Sequence, residues 1–163
     1  MSVADLIQTL RSSSVFADLP DEPLQEVAGF AREAEFRARE VIFEEDSLAK
    51  EVFLITEGKV ALVICMPQVG CRQIQEVSSG DLIGWSPLLH RARLSDTART
   101  LAPTKVVAFD AQKMLALCEA NPQFGYDFMR RTASVLAERL NAVRFQLLEA
   151  HGHNLPEVPI ESD

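Results

Sequence analysis

Gly80-Asp81-Leu82-Ile83-Gly84-Trp85-Ser86-Pro87-Leu88-Leu89 is the stretch on which the fold turns. Its two glycines follow the alternating run Arg72 to Val77. Glycine lets a backbone take positive φ and bring its N–H groups close to a ligand. The stretch is thus predicted to form a loop built to hold something, with an ordinary tight turn as the plain alternative. Leu88-Leu89 and the strand-like Thr97-Ala98-Arg99-Thr100-Leu101 bracket the loop and hold its ends in a β-framework.

Outward from the loop, residues 34–110 carry apolar side chains with a period of two. Phe36, Val41 and Phe43 fall among charged neighbours; Val52, Leu54 and Thr56 begin a second alternation; Val60, Leu62 and Ile64 make a third. Glu57-Gly58 is a turn signal between two such runs, and Val106 to Phe109 adds a further strand. Many short strands separated by turns predict an antiparallel sandwich or barrel. On the N-terminal side, Leu6, Ile7 and Leu10 predict a helix over 4–11 that ends at Ser12-Ser13-Ser14. Asp21 is expected to cap a second helix, with Glu22 and Pro23 in its first turn. On the C-terminal side, Asp110 is an N-cap for 111–120, and Asn121-Pro122 opens a long helix over about 123–151. In that helix Met129, Leu136 and Val143 interleave with Ala133, Leu140 and Leu147 at heptad spacing. Its first third can lie on the β-domain; beyond it the helix is expected to leave the domain and self-associate through Ala133, Leu136, Leu140, Val143 and Leu147.

With these motifs in place, the chain resembles the cyclic-nucleotide-binding domain of the bacterial CRP/FNR regulators. Gly80-Asp-x-x-Gly84, Leu88-Leu89 and Thr97-Ala98 are similar to that family's phosphate-binding cassette. Phe16 to Leu24 (FADLPDEPL), Glu40 to Glu45 (EVIFEE) and Val52 to Val60 (VFLITEGKV) are similar to stretches that recur there in the same order. The resemblance covers roughly residues 14–150. It implies an α+β fold: an antiparallel jelly-roll-like β-roll (double-stranded β-helix) with N-terminal helices and a long C-terminal helix that forms a parallel dimer seam. Residues 1–151 would make this domain, and 152–163, with two prolines and three acids, a disordered tail.

The family pattern places a glutamate after the second cassette glycine, for the ribose 2′-hydroxyl, and an arginine before the Thr-Ala pair, for the cyclic phosphate. Here those positions hold Trp85 and Asp96. A phosphate buried without a guanidinium loses charge-assisted bonds of about 1.5–3 kcal/mol each, and Asp96 adds repulsion. A shifted loop would bring Arg93 into that role, with Arg99 or His90 as further candidates. Trp85 offers either an aromatic face for a flat or apolar ligand, or a plug for the recess. The expected ligand-binding set is Ile83, Gly84, Trp85, Ser86, Arg93, Leu94, Ser95, Asp96, Thr97 and Arg99. The basic cluster Arg91, Arg93 and Arg99 is either solvated loop charge or the means of capturing an anionic group.

The 163 residues are one domain's worth, with an ordinary 47% hydrophobic and 25% charged share. A formal net charge of −8 argues against a nucleic-acid partner, since such binding is driven by cationic neutralisation of phosphates. No run approaches the ~18 apolar residues of a membrane span, and the N-terminus lacks an export signal. The location expected is the cytoplasm. Cys65, Cys71 and Cys118 fit a reduced chain, although Cys65 and Cys71 face each other across a hairpin looped at 66–70, so a redox pair is the second reading. His90, His151 and His153 do not make a metal site inside a barrel. No phosphate loop, nucleophile elbow or paired carboxylates are found, so no catalytic residues and no cofactor are expected. No helix-turn-helix is expected after residue 151. The expectation is a stand-alone sensor that takes a small molecule, a cyclic nucleotide with atypical contacts or another ligand, and signals to a downstream protein through its dimerising helix. The alternative is a ligand-free interaction module plugged by Trp85.

Overall fold

Strands β3 (Glu51–Glu57) and β8 (Thr104–Asp110) carry unbroken buried runs, Val52 to Ile55 and Val106 to Phe109, because both faces of their sheet are covered. A computed structural model describes residues 2–160 and shows what covers them. Val52, Leu54, Val107 and Phe109 point to a helical layer, where they join Phe16, Leu24, Met114, Phe124 and Phe128 in one cluster. Phe53, Ile55, Val106 and Ala108 point the other way, into a cluster with Val60, Leu62, Val77 and Leu94. The alternation Val52, Leu54, Thr56 is therefore only one of two buried faces.

The remaining strands are β1 (Ala31–Phe36), β2 (Val41–Phe43), β4 (Lys59–Met66), β5 (Gly70–Ser78), β6 (Leu82–Ile83) and β7 (Thr97–Thr100). They form two four-stranded antiparallel sheets, β1-β8-β3-β6 and β2-β7-β4-β5, whose facing surfaces enclose the second cluster. This is the expected β-roll. Between β3 and β4, Gly58 has φ +106°, and a Cβ there would lie 2.6 Å from the Pro103 carbonyl oxygen. Only glycine allows the turn and the close approach together.

Helix α1 (Val3–Arg11) is closed by a capping box in which the Ser2 hydroxyl accepts from Asp5 N–H and the Asp5 carboxylate accepts from Ser2 N–H. Helix α2 (Asp21–Gly29) differs from expectation at its start. Pro20 occupies the N-cap position with no side-chain cap, and Asp21 is the first helical residue, where its carboxylate pairs with Arg11. Its negative charge suits a helix N-terminus without capping it. Helix α3 (Ala111–Ala120) is capped as expected, Lys113 N–H donating to the Asp110 carboxylate at 2.8 Å. Asn121 accepts from Phe124 N–H and opens α4 (Pro122–His151), a helix of 30 residues. Helices α3 and α4 touch so closely that a Cβ on Gly125 would lie 2.7 Å from the Cys118 carbonyl oxygen.

Two expectations are corrected here. Helix α4 does not leave the roll after its first third. Gln75 Nε2 donates to the Arg139 carbonyl at 3.3 Å, and Gln146 Nε2 donates to the Ile74 carbonyl at 2.9 Å, so the polar face of the helix follows β5 well past its midpoint. Nor is the chain fully reduced: Cys65 and Cys71, directly paired in the β4–β5 register, are joined by a disulfide, and Cys118 alone is free. Beyond α4, Gly152–Asn154 form a short 3-10 turn and residues 155–160 are exposed; 161–163 lie outside the described residues. No helix among the described residues is long and apolar enough to cross a membrane.

Candidate functional site

The loop from Gly80 to His90 is tied to the roll at its start and to the helices at its end. Gly80 N–H donates to the Ile55 carbonyl and Ile55 N–H to that of Asp81, while the Asp81 carboxylate accepts from Ser78 N–H at 2.9 Å. Gly80 and Gly84 both have positive φ, +94° and +68°, which satisfies the reading of a glycine-hinged loop. Strand β6 then places Leu82 toward the helical cluster and Ile83 toward the roll interior. A 3-10 turn, Ser86–Leu89, follows.

Directly under Gly84 lie two aromatic rings. A Cβ on Gly84 would meet Phe53 at 3.1 Å and Phe43 at 3.2 Å, and these rings stack with centroids 5.7 Å apart. Both are 8% exposed, so the recess behind the second glycine is packed by the chain's own side chains. Trp85 does not do this. It packs against the helical cluster, half-buried, and lines an apolar groove of about 510 Å³ with Leu88, Leu89, Met129, Thr132, Ala133, Leu136 and Leu140. Of the two readings of Trp85, the plug is thus corrected. Trp85 follows Gly84 on the turn toward α4, while β2 and β3 supply the aromatic filling from inside the roll.

The second half of the cassette runs from Arg91 to Thr100. Leu94 is buried, its N–H donating to the Ser47 carbonyl at 3.0 Å and its carbonyl accepting from Asp46 N–H at 2.8 Å. Arg93 pairs outward, its guanidinium donating to the Asp46 carbonyl and lying 3.9 Å from that residue's carboxylate. Arg99 and Ser95 are exposed, and Ser86 is buried. Arg91 and His90 line a different hollow, of about 700 Å³, between residues 48–50 and α3. Its lining mixes Lys50, His90 and Arg91 with Asp110 and Glu119, so it presents no field of one sign. The three arginines of the basic cluster are thus dispersed among separate surroundings.

The cation that the structure does bring to the cassette is Arg139, from α4. Its guanidinium donates to the Leu82 carbonyl, one residue before Ile83-Gly84, and Asp81 and Asp96 both act on its charge. Burial holds its pKa below the ordinary value, against the pull of Asp81 and then Asp96. Asp96 is half-buried beside it. Burial raises the Asp96 carboxyl above its ordinary 3.8; Arg139 pulls it back and Glu45 pushes it up again. Thr97 accepts from Glu45 N–H at 2.9 Å, which sets that glutamate next to the cassette. The position where the family pattern has an arginine therefore holds an acid, and the charge that acts on it from the helix is that of Arg139. Sequence reasoning missed Arg139, although Thr132, Val135, Arg139 and Gln146 fall on one helical face at spacings of three, four and seven.

The family profile of the cyclic nucleotide-binding domain matches residues 33–121, more than half of the chain. This chain belongs to the cyclic nucleotide-binding domain family. A Geobacter metallireducens GS-15 protein named for cyclic-nucleotide binding is 29% identical, with a TM-score of 0.70 over 82% of this chain and 96% of its own. A cyclic nucleotide-binding domain from Methylobacillus flagellatus KT, 17% identical, has a TM-score of 0.78 over 96% of this chain and 86% of its own. The regulatory domain of Toxoplasma gondii PKA, solved with cAMP, is 19% identical and has a TM-score of 0.62 over 71% of this chain and 44% of its own. At such identities the last two show a shared fold. No curated protein matches. Among the described residues, this cyclic nucleotide-binding domain has no cluster of three or more His, Cys, Asp or Glu side chains that would hold a metal ion.

The surroundings of Asp96 give a pH-dependent expectation. Its folded pKa lies above the unfolded value, so the favourable contribution is fully present below about pH 3.8 and is lost as pH rises through the folded pKa. At neutral pH the ionised carboxylate therefore weakens the fold. Asp96→Asn is expected to raise Tm at pH 7 by roughly 2–4 °C, the shift that 1 kcal/mol produces in a domain of this size. The gain should shrink toward zero as pH falls below 4 (~). Thermal melts across this range decide it; a lower Tm at pH 7 would mean that Arg139 holds Asp96 favourably charged.

Proposed function

We propose that this domain is a non-enzymatic cytoplasmic sensor that takes a small molecule at the cassette and signals to a downstream protein through dimerisation of α4. The observation that supports the reading is Arg139: one side chain of α4 donates to the cassette strand at the Leu82 carbonyl, and its charge acts on Asp96. A ligand that competes for either charge has a direct mechanical handle on α4. It shifts the helix only by the difference between its affinities for the two arrangements. The ligand is a cyclic nucleotide with atypical contacts, since neither the glutamate nor the arginine of the family pattern is present, or another small molecule of similar size. Ile83 to Ser86 and Arg93 to Thr97 with Arg99 form the candidate binding region.

The dimerising face is supported by exposure. Leu140 and Leu147 are 60% and 50% exposed, while Leu136 and Val143 are half-buried and Ala133 is exposed. A row of apolar residues at heptad spacing on a helix suits a second copy of the same helix. The groove beside Trp85 runs into this row through Ala133, Leu136 and Leu140.

The aromatic filling beneath Gly84 favours a second reading, a ligand-free interaction module. Calorimetry and thermal shift with cAMP, cGMP and a panel of other nucleotides and metabolites separate the two. A saturable response that Arg139→Met or Asp96→Asn alters supports the sensor; no response across the panel, with a stable dimer, favours the interaction module.

A further inference from the structure

The β4–β5 hairpin carries a feature that ligand sensing does not use. Cys65 and Cys71 lie opposite each other one pair from the hairpin end, where Met66 pairs with Gly70. Both cysteines are exposed, as is the whole loop between them. Arg72 Nη1 donates to the Cys71 carbonyl at 2.9 Å, so a guanidinium is held at the backbone of one of the two cysteines. A nearby cation and solvent access are the conditions under which a thiol exchanges readily. The β4–β5 ladder itself extends on both sides of the bridge, from Lys59–Ser78 to Met66–Gly70 with one irregularity at Leu62/Val63.

Besides the pairing of β4 with β7, the hairpin end is joined to the cassette through Glu45. Cys65 N–H donates to the Glu45 carboxylate at 3.1 Å, and Glu45 N–H donates to the Thr97 hydroxyl at 2.9 Å. The carboxylate of Glu45 is one of the charges that act on Asp96. Whatever alters the hairpin at Cys65 thus alters what holds Glu45 against the cassette. Cys118 has no part in this. It sits half-buried where α3 meets α4, and burial pushes its thiol up to about 11.

We propose that Cys65 and Cys71 are a reversible thiol–disulfide exchange site, read by the cassette through Glu45. In the reducing direction a thiolate of a partner dithiol attacks one sulfur of the bridge, forming a mixed disulfide and releasing the other cysteine as a thiolate. The partner's second thiol then displaces the remaining cysteine. Two electrons and two protons pass to the hairpin, and the partner leaves as a disulfide. In the oxidising direction a small disulfide of the glutathione type closes the bridge and leaves as two thiols. The inference rests here on the cytoplasmic location proposed above, since that compartment keeps exposed pairs reduced. The bridge therefore closes when that balance moves toward oxidation, and the closed hairpin holds Glu45 in the arrangement seen here.

The test uses the full chain. Dithiothreitol-treated, folded protein is alkylated with iodoacetamide at pH 7.5 (~), and the sites are read by peptide mass spectrometry. Cys65 and Cys71 should label on the order of a hundredfold faster than Cys118, in proportion to thiolate fraction. Oxidised glutathione should restore the unlabelled state. Hydrogen exchange compares the two forms: reduction should speed the Glu45 amide by about fivefold or more while α1 and α2 stay unchanged. Cys65→Ser with Cys71→Ser should show the reduced pattern with or without dithiothreitol, and Cys71→Ser alone serves if the double variant misfolds. Labelling of the pair only in denaturant overturns the exchange site. Equal Glu45 exchange in both forms overturns its reading by the cassette. None of these readouts involves a ligand, so their failure leaves the sensor reading standing.

Discussion

Phe53→Ala is expected to lower the unfolding free energy by about 3–5 kcal/mol, the range for truncating a buried phenylalanine. This is a large part of the 5–15 kcal/mol that holds a typical domain together. Phe53 stacks on Phe43 and lies against the α-carbon of Gly84, so truncation empties the space directly behind the cassette hinge. Urea unfolding measures the loss. A decrease under about 1 kcal/mol would mean that the rings are not packed there, and with it the closed recess would go. The same variant bears on function. If the aromatic pair excludes a ligand, the opened site should take up a small ring such as benzene and regain part of its Tm, as apolar cavities of this kind do. The milder Phe53→Leu keeps the experiment readable if the alanine variant does not fold.

The second large effect concerns α4. Leu140→Asp combined with Leu147→Asp should weaken self-association on the order of a hundredfold, about 2.8 kcal/mol, because each carboxylate must lose water to enter the seam. Both leucines are at least half exposed in the single chain, so the monomer should keep its fold to within about 0.5 kcal/mol. Sedimentation at several concentrations, with circular dichroism as the control, reads both quantities. A wild-type chain that stays monomeric at about 100 μM, near −5.5 kcal/mol, removes the dimer from the proposed function.

These expectations meet at Arg139. It is held by the Leu82 carbonyl, and Asp81 and Asp96 both act on its charge, so a rotation of α4 would change the charge beside the cassette. Phosphate, by contrast, finds no preformed pocket of arginines here. Arg93 is engaged with Asp46, and Arg99 faces solvent from β7. A ligand that binds must recruit Arg139 or dispense with a guanidinium.

The family, the β-roll and the helix boundaries were legible from sequence because they rest on local patterns. Glycines 80 and 84 announce a positive-φ loop, and Asp110 and Asn121 announce caps. Asp21 shows the limit of such reading. It has the chemistry of a cap, yet the chain enters α2 one residue early and spends that carboxylate on Arg11.

By itself the sequence determined the cyclic-nucleotide-binding-type roll, and its resemblance to the family pattern is what sets Trp85 and Asp96 where that pattern has a glutamate and an arginine, since residue identity and order suffice for such a comparison. Only the tertiary structure decided which groups stand around those positions. Phe43 and Phe53 converge under Gly84 from two different strands; Trp85 turns toward α4; Arg139 arrives from more than 40 (~) residues downstream, on a helix whose polar face stays hydrogen-bonded to β5. The physical reason is that a pocket's filling and its charges are set by which distant side chains share its space. Local periodicity fixes the direction in which a side chain leaves its own strand or helix, and packing between elements fixes what it meets.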